Sequence, residues 1–228
     1  MPRLIWDDIG ERVYETGCSN GVLYPQNAAG TGWDTGVAWN GLISVTESPS
    51  GADPNALYAD DIKYLELRAA EEFGATIEAY TYPEEFNACN GVVELGNSGA
   101  FIGQQTRKPF CMAYKTLIGN DTQGTDYGYK LHVIYNATVS PSEQAHSTVN
   151  ESPEAVTFSW ELTTVPIAVT DHKPCAHIVI DSTKVPEGKM TAIENALFGK
   201  NPTTEQASDG TDPTLKTPDQ LLEIITAT

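Results

Sequence analysis

The stretch Phe158-Ser159-Trp160-Glu161-Leu162-Thr163-Thr164-Val165 alternates large apolar residues with polar ones. Because successive side chains of a β-strand point to opposite faces, this pattern predicts a strand with one packed face and one polar face. Comparable runs, alternating or rich in β-branched and aromatic residues, recur at residues 37–46, 62–67, 74–82, 109–118, 129–139, 155–169 and 176–181. Turn-forming segments separate these runs. The sequence therefore predicts a mainly β fold of two packed antiparallel sheets, in the form of a sandwich or partial barrel.

The first of these runs is interrupted by the turn-forming pair Asn40-Gly41. Such a pair favours either a tight hairpin turn of type I′ or a bulge within one longer strand. The pattern is equally compatible with both, and they differ in which strands become neighbours.

A flanking α-helix is predicted at residues 186–198. Met190, Ile193 and Leu197 fall on one stripe at helical spacing, a proline stands at the start, and Gly199 follows the end. Proline at the first helical position and glycine just after the last are typical of helix ends. The apolar stripe predicts that this helix covers one face of a sheet.

A short second helix is predicted near the C-terminus. Thr217-Pro218-Asp219-Gln220 combines a capping box with an early proline, and four large apolar residues follow within residues 221–225. These apolar residues must be covered by the helix's own domain or by a neighbouring copy. We accordingly expect a β domain at residues 1–200, with an N-terminal arm and the flanking helix, and a polar connector with a C-terminal helical arm at 201–228.

The 228-residue chain is strongly acidic, with 31 Asp and Glu against 13 Lys and Arg and a formal net charge of -18. Nucleic-acid binding needs a basic face that displaces counterions, so a surface that grips DNA or RNA is not expected. No apolar run approaches the roughly 18–20 residues of a membrane-spanning helix. The first residues carry acids and no apolar signal segment, so synthesis in a cytoplasm is expected.

Motifs for chemistry are sparse. Four cysteines are scattered without a CxxC pair, so free thiols are expected. The closest approach to metal-ligand spacing is His172 with Cys175 and His177, where two ligands could converge but a site needs three or four. The sequence therefore predicts neither a metal site nor a cofactor, and it does not predict an enzyme.

Acidic residues concentrate between positions 60 and 94, a segment with nine acidic residues and two basic ones. Simple alternation places Tyr64 and Glu66 on one face of the run at 62–67, opposite Lys63 and Leu65. If this run pairs with the run at 74–82 as a hairpin, it presents one broad acidic surface. The residues concerned are Glu66 and Glu78, with Glu71 and Glu72 at the connecting turn.

Several longer strings carry a resemblance to a known family. They are Gly36-Val37-Ala38-Trp39-Asn40-Gly41, Leu57-Tyr58-Ala59-Asp60-Asp61-Ile62-Lys63-Tyr64-Leu65, the string from Ala70 to Phe86, Ile102-Gly103-Gln104-Gln105-Thr106-Arg107-Lys108, Gly128-Tyr129-Lys130-Leu131-His132, Val156-Thr157-Phe158-Ser159-Trp160-Glu161, and the stretch from Ile180 to Gly199. In this order they resemble the major tail protein, or tail tube protein, of long-tailed non-contractile bacteriophages. The resemblance covers most of residues 1–200 and fades after Lys200.

The resemblance implies a structural virion protein. In that family a subunit of two packed β-sheets with a flanking helix joins five others in a ring, and rings stack into a hollow tube through which genomic DNA passes during ejection. The bore is lined by a barrel to which each subunit contributes a hairpin. Partners would be further copies and other tail proteins such as the tape measure, tail terminator and distal tail proteins, with DNA as cargo that is not gripped and no membrane. Synthesis in the host bacterial cytoplasm would precede assembly into the virion.

The resemblance also implies which residues take part in assembly. Glu66, Glu71, Glu72 and Glu78 are the candidates for the bore lining or the ring interface. An acidic lining would repel DNA and let it slide. Arms that reach neighbouring subunits are expected at residues 1–35, at the loop 47–59 and after Lys200.

A β-sandwich that binds carbohydrate or another protein is the alternative. It depends on the strands and on aromatic residues expected to be exposed, namely Trp33, Tyr58, Tyr80 and Tyr82.

Overall fold

The computed structural model describes residues 3–51, 53–96, 98–146, 148–149, 155–204 and 208–227. Within these residues the strands are β1 (Val13–Pro25), β2 (Val37–Trp39), β3 (Leu42–Glu47), β4 (Ser50–Gly51), β5 (Pro54–Ala59), β6 (Ile62–Arg68), β7 (Glu71–Glu72), β8 (Gly74–Ala79), β9 (Val93–Glu94), β10 (Phe101–Ile102), β11 (Phe110–Asn120), β12 (Gly124–Val139), β13 (Phe158–Thr164) and β14 (His177–Asp181). The helices are α1 (Phe86–Cys89), α2 (Glu187–Phe198) and α3 (Pro218–Thr226).

One antiparallel sheet of eight strands forms the body of the protein, in the order β2-β1-β11-β12-β13-β8-β3, with β14 also paired to β12. The sheet curls until β3 contacts β1, so its two halves become packed layers. Among the described residues β2 and β3 do not pair, and the curl stays open. The predicted mainly β fold is confirmed, with one continuous sheet supplying both layers.

The inner core lies between the two halves of the curled sheet. Trp39, Phe86 and Trp160 meet there, with ring centroids 5.7 Å apart for the two tryptophans and 4.6 Å for Trp39 and Phe86. One face of β8 belongs to this core, because Ala75, Ile77 and Ala79 are all completely buried against it. Aromatic pairs in tilted and edge-to-face geometry add to the stabilisation from burial.

An outer core lies on the opposite face of β1, β11 and β12. The predicted stripe of α2 covers it, because Met190, Ile193 and Leu197 are buried against these strands. The α3 helix has the predicted capping box, in which Thr217 and Gln220 exchange side-chain and backbone hydrogen bonds. It joins the same core, so it docks on its own domain. The middle strands are thus packed on both faces.

A bulge in β12 lets this strand serve both layers. Met112 is paired with Ile134 and Phe110 with Ala137, so one residue of β11 faces two of β12. Asn136 lies in this bulge and has a φ of 48°. Such a bulge bends a strand and shifts its side-chain alternation. Before the bulge β12 pairs with β14, and after it with β13.

The pair Asn40-Gly41 joins the two ends of the curled sheet. β2 pairs with β1 and β3 pairs with β8, so this pair is not the turn of a hairpin between them. Gly41 has a φ of 73°, and a Cβ atom there would lie 2.9 Å from Thr81 Cγ2. Neither interpretation is observed, because the pair connects two separate strands, β2 and β3, that have different partners.

The chain path differs from the sequence analysis at two places. Residues 1–35 are expected to form an arm, but Val13–Pro25 is an interior strand between β2 and β11. Residues 3–12 lie outside the strands, and for them the arm stays a prediction. The runs at 62–67 and 74–82 do not pair with each other. Instead β6 pairs with β5, and β8 pairs with β3 and β13. Part of the predicted connector, at residues 205–207, lies outside the described residues.

The cysteines are free thiols, as expected: Cys89 and Cys111 are buried, and Cys18 and Cys175 are half-buried. In the described part of the chain, no helix has both the length and the apolar character needed to cross a membrane.

Neighbouring leucines of α3 test its docking on the domain. Leu221 is 1% exposed and Leu222 is 38% exposed. We expect Leu221→Ala to lower the free energy of unfolding by about 2–5 kcal/mol because it leaves a cavity. Leu222→Ala should lower it by less than about 1 kcal/mol. Urea unfolding of both variants measures this, and equally small losses would show that α3 does not pack on its own domain.

Candidate functional site: a projecting hairpin and a polar sheet face

A hairpin extends from the body of the protein between β3 and β8. Its outer part is β5 paired with β6, and its neck is β4 paired with β7. Neither pair is hydrogen-bonded to the main sheet. An isolated two-stranded ribbon is marginally stable in water, so a hairpin of this kind gains stability when another surface covers it.

One face of the hairpin is apolar and open to solvent. Leu57 is paired directly with Leu65, and Leu67 lies two residues further along the same face. Their exposed fractions are 40%, 38% and 53%. We call these three residues the leucine face. Near the tip Ile62 is 64% exposed, and the tip also exposes Tyr58 and Tyr64.

A charged side accompanies the leucine face. The Glu66 carboxylate accepts hydrogen bonds from Lys63 and from Arg68, whose Nη2 lies 2.9 Å from Oε1. Both hydrogen bonds lower the pKa of Glu66, and the bond from Lys63 has the larger effect. The predicted alternation, with Glu66 and Lys63 on opposite faces, is wrong because Tyr64 is skipped in the pairing of β5 with β6. A bulge at this position changes the phase of the strand.

The turn at the hairpin tip consists of Asp60 and Asp61. Both have left-handed backbone conformations, with φ of 51° and 62°. A two-residue loop with two positive φ values is the geometry of a type I′ turn, which favours Asn-Gly over Asp-Asp. The tip is therefore less stable with two adjacent aspartates than the same turn would be with Asn-Gly.

A polar face lies on the outside of strands β3, β8 and β13. The register pairs Ser44 with Glu78, Glu78 with Ser159, and Thr76 with Glu161. Directly opposed residues of an antiparallel sheet share a face, so these side chains project away from the inner core. The face consists of Ser44, Thr46, Thr76, Glu78, Ser159, Glu161 and Thr163, which include two carboxylates and no basic residue.

The four acids named from the sequence lie along one continuous segment of the chain, residues 66–78. Glu78 is on the polar face, where its Oε2 accepts a hydrogen bond of 3.0 Å from Ser44 Oγ. Glu71 and Glu72 form strand β7 in the neck, where both are exposed. Glu66 is on the hairpin, held in its ion pairs. The four do not form one cluster, because the runs at 62–67 and 74–82 do not pair as a hairpin.

Two features of this region were missed from the sequence. Glu161 shares the polar face because β13 pairs with β8, and the leucine face exists because β5 pairs with β6. The alternation within residues 158–165 had already placed Glu161 on a polar face. No local pattern indicated which strand would lie beside it.

Of the four aromatic residues expected to be exposed, two are exposed. Tyr58 and Tyr80 are 73% and 55% exposed. Tyr82 packs against the inner core and Trp33 against the outer core. A second small ribbon, β9 paired with β10, also exposes apolar residues, namely Val93, Phe101 and Ile102.

A cluster of polar side chains lies at the base of the hairpin, on the inner side of the sheet. It contains Glu47, His132 and His177, and the Tyr114 hydroxyl donates a 2.8 Å hydrogen bond to Glu47 Oε1. Burial lowers the pKa of both imidazoles, and the Glu47 carboxylate opposes part of that shift. Both rings are therefore neutral at pH 7. Of the residues with metal-ligand spacing in the sequence, only His177 belongs to this cluster, and His172 is exposed elsewhere.

Comparisons with known proteins give little further guidance. No protein-family model matches the chain, and no curated protein matches it. One solved structure with partial likeness is a chain from "Cryo-EM structure of the anti-feeding prophage (AFP) baseplate, 6-fold symmetrised". It is 6% identical, and the match covers 78% of this chain and 97% of that chain with a TM-score of 0.32. A likeness this weak does not indicate a shared function.

The strain at the hairpin tip can be tested by substitution. Asp61→Gly should stabilise the hairpin by about 1 kcal/mol because glycine adopts a positive φ freely. Amide hydrogen exchange in β5 and β6 should then slow about fivefold. Asp61→Asn, which removes the same charge but keeps a Cβ atom, should slow exchange less. Equal slowing in both variants would show that charge repulsion, and not the backbone, limits the hairpin.

Proposed function

We propose that this protein is a structural subunit of a bacteriophage tail tube. Six copies form a ring, rings stack into a hollow tube, and genomic DNA passes through an electronegative bore during ejection. The subunit acts without catalysis, on further copies of itself and on other tail proteins such as the tape measure, terminator and distal tail proteins. The observation that carries the proposal is the projecting hairpin, whose apolar face has no partner within the described chain.

The hairpin supports assembly through its exposed apolar surface. Contiguous apolar surface on a soluble protein marks an interaction site. The leucine face and Ile62 form such a surface on a ribbon that extends away from the core. Because the hairpin gains its missing packing from a neighbour, this region would act as an arm between subunits. It contains most of the loop 47–59 that was expected to reach adjacent copies.

Open sheet edges support the same proposal. Among the described strands, β2 pairs only with β1, β3 only with β8, and β14 only with β12. Unpaired edges are a hazard for a monomer, but a neighbouring chain can complete them. A head-to-tail contact of this kind closes into a ring when the rotation between copies closes.

The polar face supports the electronegative bore. Its small hydroxyl side chains and its two carboxylates, Glu78 and Glu161, offer no cation to a phosphate. Duplex DNA carries one negative charge per roughly 1.7 Å, so a basic lining would hold it. An acidic lining repels it over roughly 8 Å at physiological salt and leaves it free to slide. In this arrangement Glu66, Glu71 and Glu72 belong to the bore or to the contact between stacked rings.

A pair of matched substitutions tests the role of the hairpin. Ile62 on the hairpin is 64% exposed, and Val165 after β13 is 62% exposed. We expect Ile62→Ser to reduce self-association in concentrated protein by at least about tenfold, because it removes apolar area from the subunit contact. Val165→Ser should leave self-association unchanged. Sedimentation velocity over a range of concentrations measures this.

Thermal unfolding of the dilute variants is the control. Neither residue is in a core, so both variants should keep the wild-type melting temperature within the range of surface substitutions. Equal loss of association in both variants would contradict a specific hairpin contact. Monomeric wild-type protein that binds a glycan would instead favour the carbohydrate-binding alternative, for which Tyr58 and Tyr64 offer exposed rings.

A further inference from the structure

Three potential metal ligands converge from three strands that are distant in the sequence. Glu47 ends β3, His132 is in the middle of β12, and His177 begins β14. Glu47 Oε1 lies 3.1 Å from His132 Nδ1 and 3.5 Å from His177 Nε2. The two imidazole nitrogens are 3.3 Å apart. The three atoms therefore form a nearly equilateral triangle.

The size of this triangle is that of one face of a tetrahedral metal site. Zinc binds histidine nitrogen and carboxylate oxygen at about 2.0–2.2 Å, which places the ligand atoms about 3.3 Å from one another. The observed distances of 3.1, 3.3 and 3.5 Å match this spacing. An ion could therefore contact all three atoms without movement of the backbone.

The three close approaches within the cluster cannot all be hydrogen bonds at once. A neutral imidazole has one N–H donor, and a carboxylate only accepts. His132 Nδ1 lies within reach of both Glu47 and His177, but one hydrogen can serve only one of them well. Glu47 Oε1 is also the acceptor for Tyr114. A cation in the centre would satisfy the two nitrogen lone pairs and the carboxylate charge at once.

Neighbouring side chains fix the orientation of the two rings. The remaining nitrogen of His132, Nε2, lies 3.0 Å from Thr116 Oγ1. Such a partner on the second nitrogen is typical of metal-binding histidines. Tyr114 stacks on His132 with ring centroids 4.6 Å apart, and Phe73 stacks on His177 at 4.5 Å.

We propose that Glu47, His132 and His177 bind a divalent transition-metal ion of the zinc class, with water in the fourth position. Two imidazoles and one carboxylate favour zinc and similar ions over magnesium and calcium, which prefer oxygen ligands alone. A cavity of about 300 Å³ lies beside His177 and is lined also by Phe73 and Cys175. The Glu47 side chain is 36% exposed, so the ion has a path from solvent.

The ion would fasten the base of the hairpin to the body of the protein. Glu47 ends the strand from which the hairpin departs, whereas the histidines belong to the opposite layer of the curled sheet. Binding to the folded chain alone would stabilise it in proportion to the metal concentration. This inference does not depend on the proposed function, because the site is complete within one subunit.

Metal titration of the intact chain tests the site. Protein stripped with a chelator and dialysed should bind one Zn²⁺ per chain by calorimetry, and its melting temperature should rise with Zn²⁺ but not with Mg²⁺. Co²⁺ should give the visible absorption bands of a four-coordinate site, and Zn²⁺ should displace it. Failure of the wild-type chain to bind one Zn²⁺ saturably would overturn the proposal.

Single substitutions locate the bound ion. Glu47→Gln, His132→Gln and His177→Gln should each weaken Zn²⁺ binding by at least about tenfold, since even second-shell changes have effects of this size. His172→Gln, the same substitution at an exposed histidine outside the cluster, should bind as the wild type does. If Glu47→Gln folds and binds Zn²⁺ with unchanged affinity, or if His172→Gln weakens binding equally, the ion is elsewhere. Should a histidine variant fail to fold, the Glu47 variant and the wild-type Co²⁺ spectrum still decide the matter.

Discussion

Burial on both faces of residues 21–25 of β1, 110–114 of β11 and 131–135 of β12 is the constraint on which the rest of the structure depends. Alternate residues face an aromatic core on one side and the helices on the other, as with Leu23 in the inner core and Tyr24 in the outer core. A sheet packed on one face could remain open and nearly flat. Here the inner face must be covered by the sheet itself, and the bulge at Asn136 provides the bend that makes this possible.

Curling leaves a particular set of surfaces outside the cores. The outer side of β3, β8 and β13 becomes polar and acidic, since Val45, Ile77, Trp160 and Leu162 turn toward the inner core. The long connection between β3 and β8 projects as a hairpin outside the main sheet. The cluster of Glu47 with His132 and His177 lies where this hairpin leaves the body, so its stability would influence how firmly the arm is held.

Local patterns in the sequence predicted elements better than partners. The alternation at residues 158–165 and the capping box at Thr217 are signals within a few residues, and both are confirmed. β1 was missed because left-handed residues and register shifts near Gly17 and Asn20 break its alternation. The pairing of β6 with β5 was missed because β5 begins at Pro54, which together with Asp53 resembles a turn. Glu47 and the two histidines meet only through the tertiary fold, so no spacing in the sequence could indicate them.

Cryo-electron microscopy of the concentrated protein is the most direct test of the tail-tube assignment. The account predicts rings or tubes in which the polar face of β3, β8 and β13 is directed toward the bore, with Glu66, Glu71, Glu72 and Glu78 at the bore or between stacked rings. It would be contradicted by particles that remain single subunits at every concentration. A tube with all four of these glutamates on its outer wall would contradict it equally.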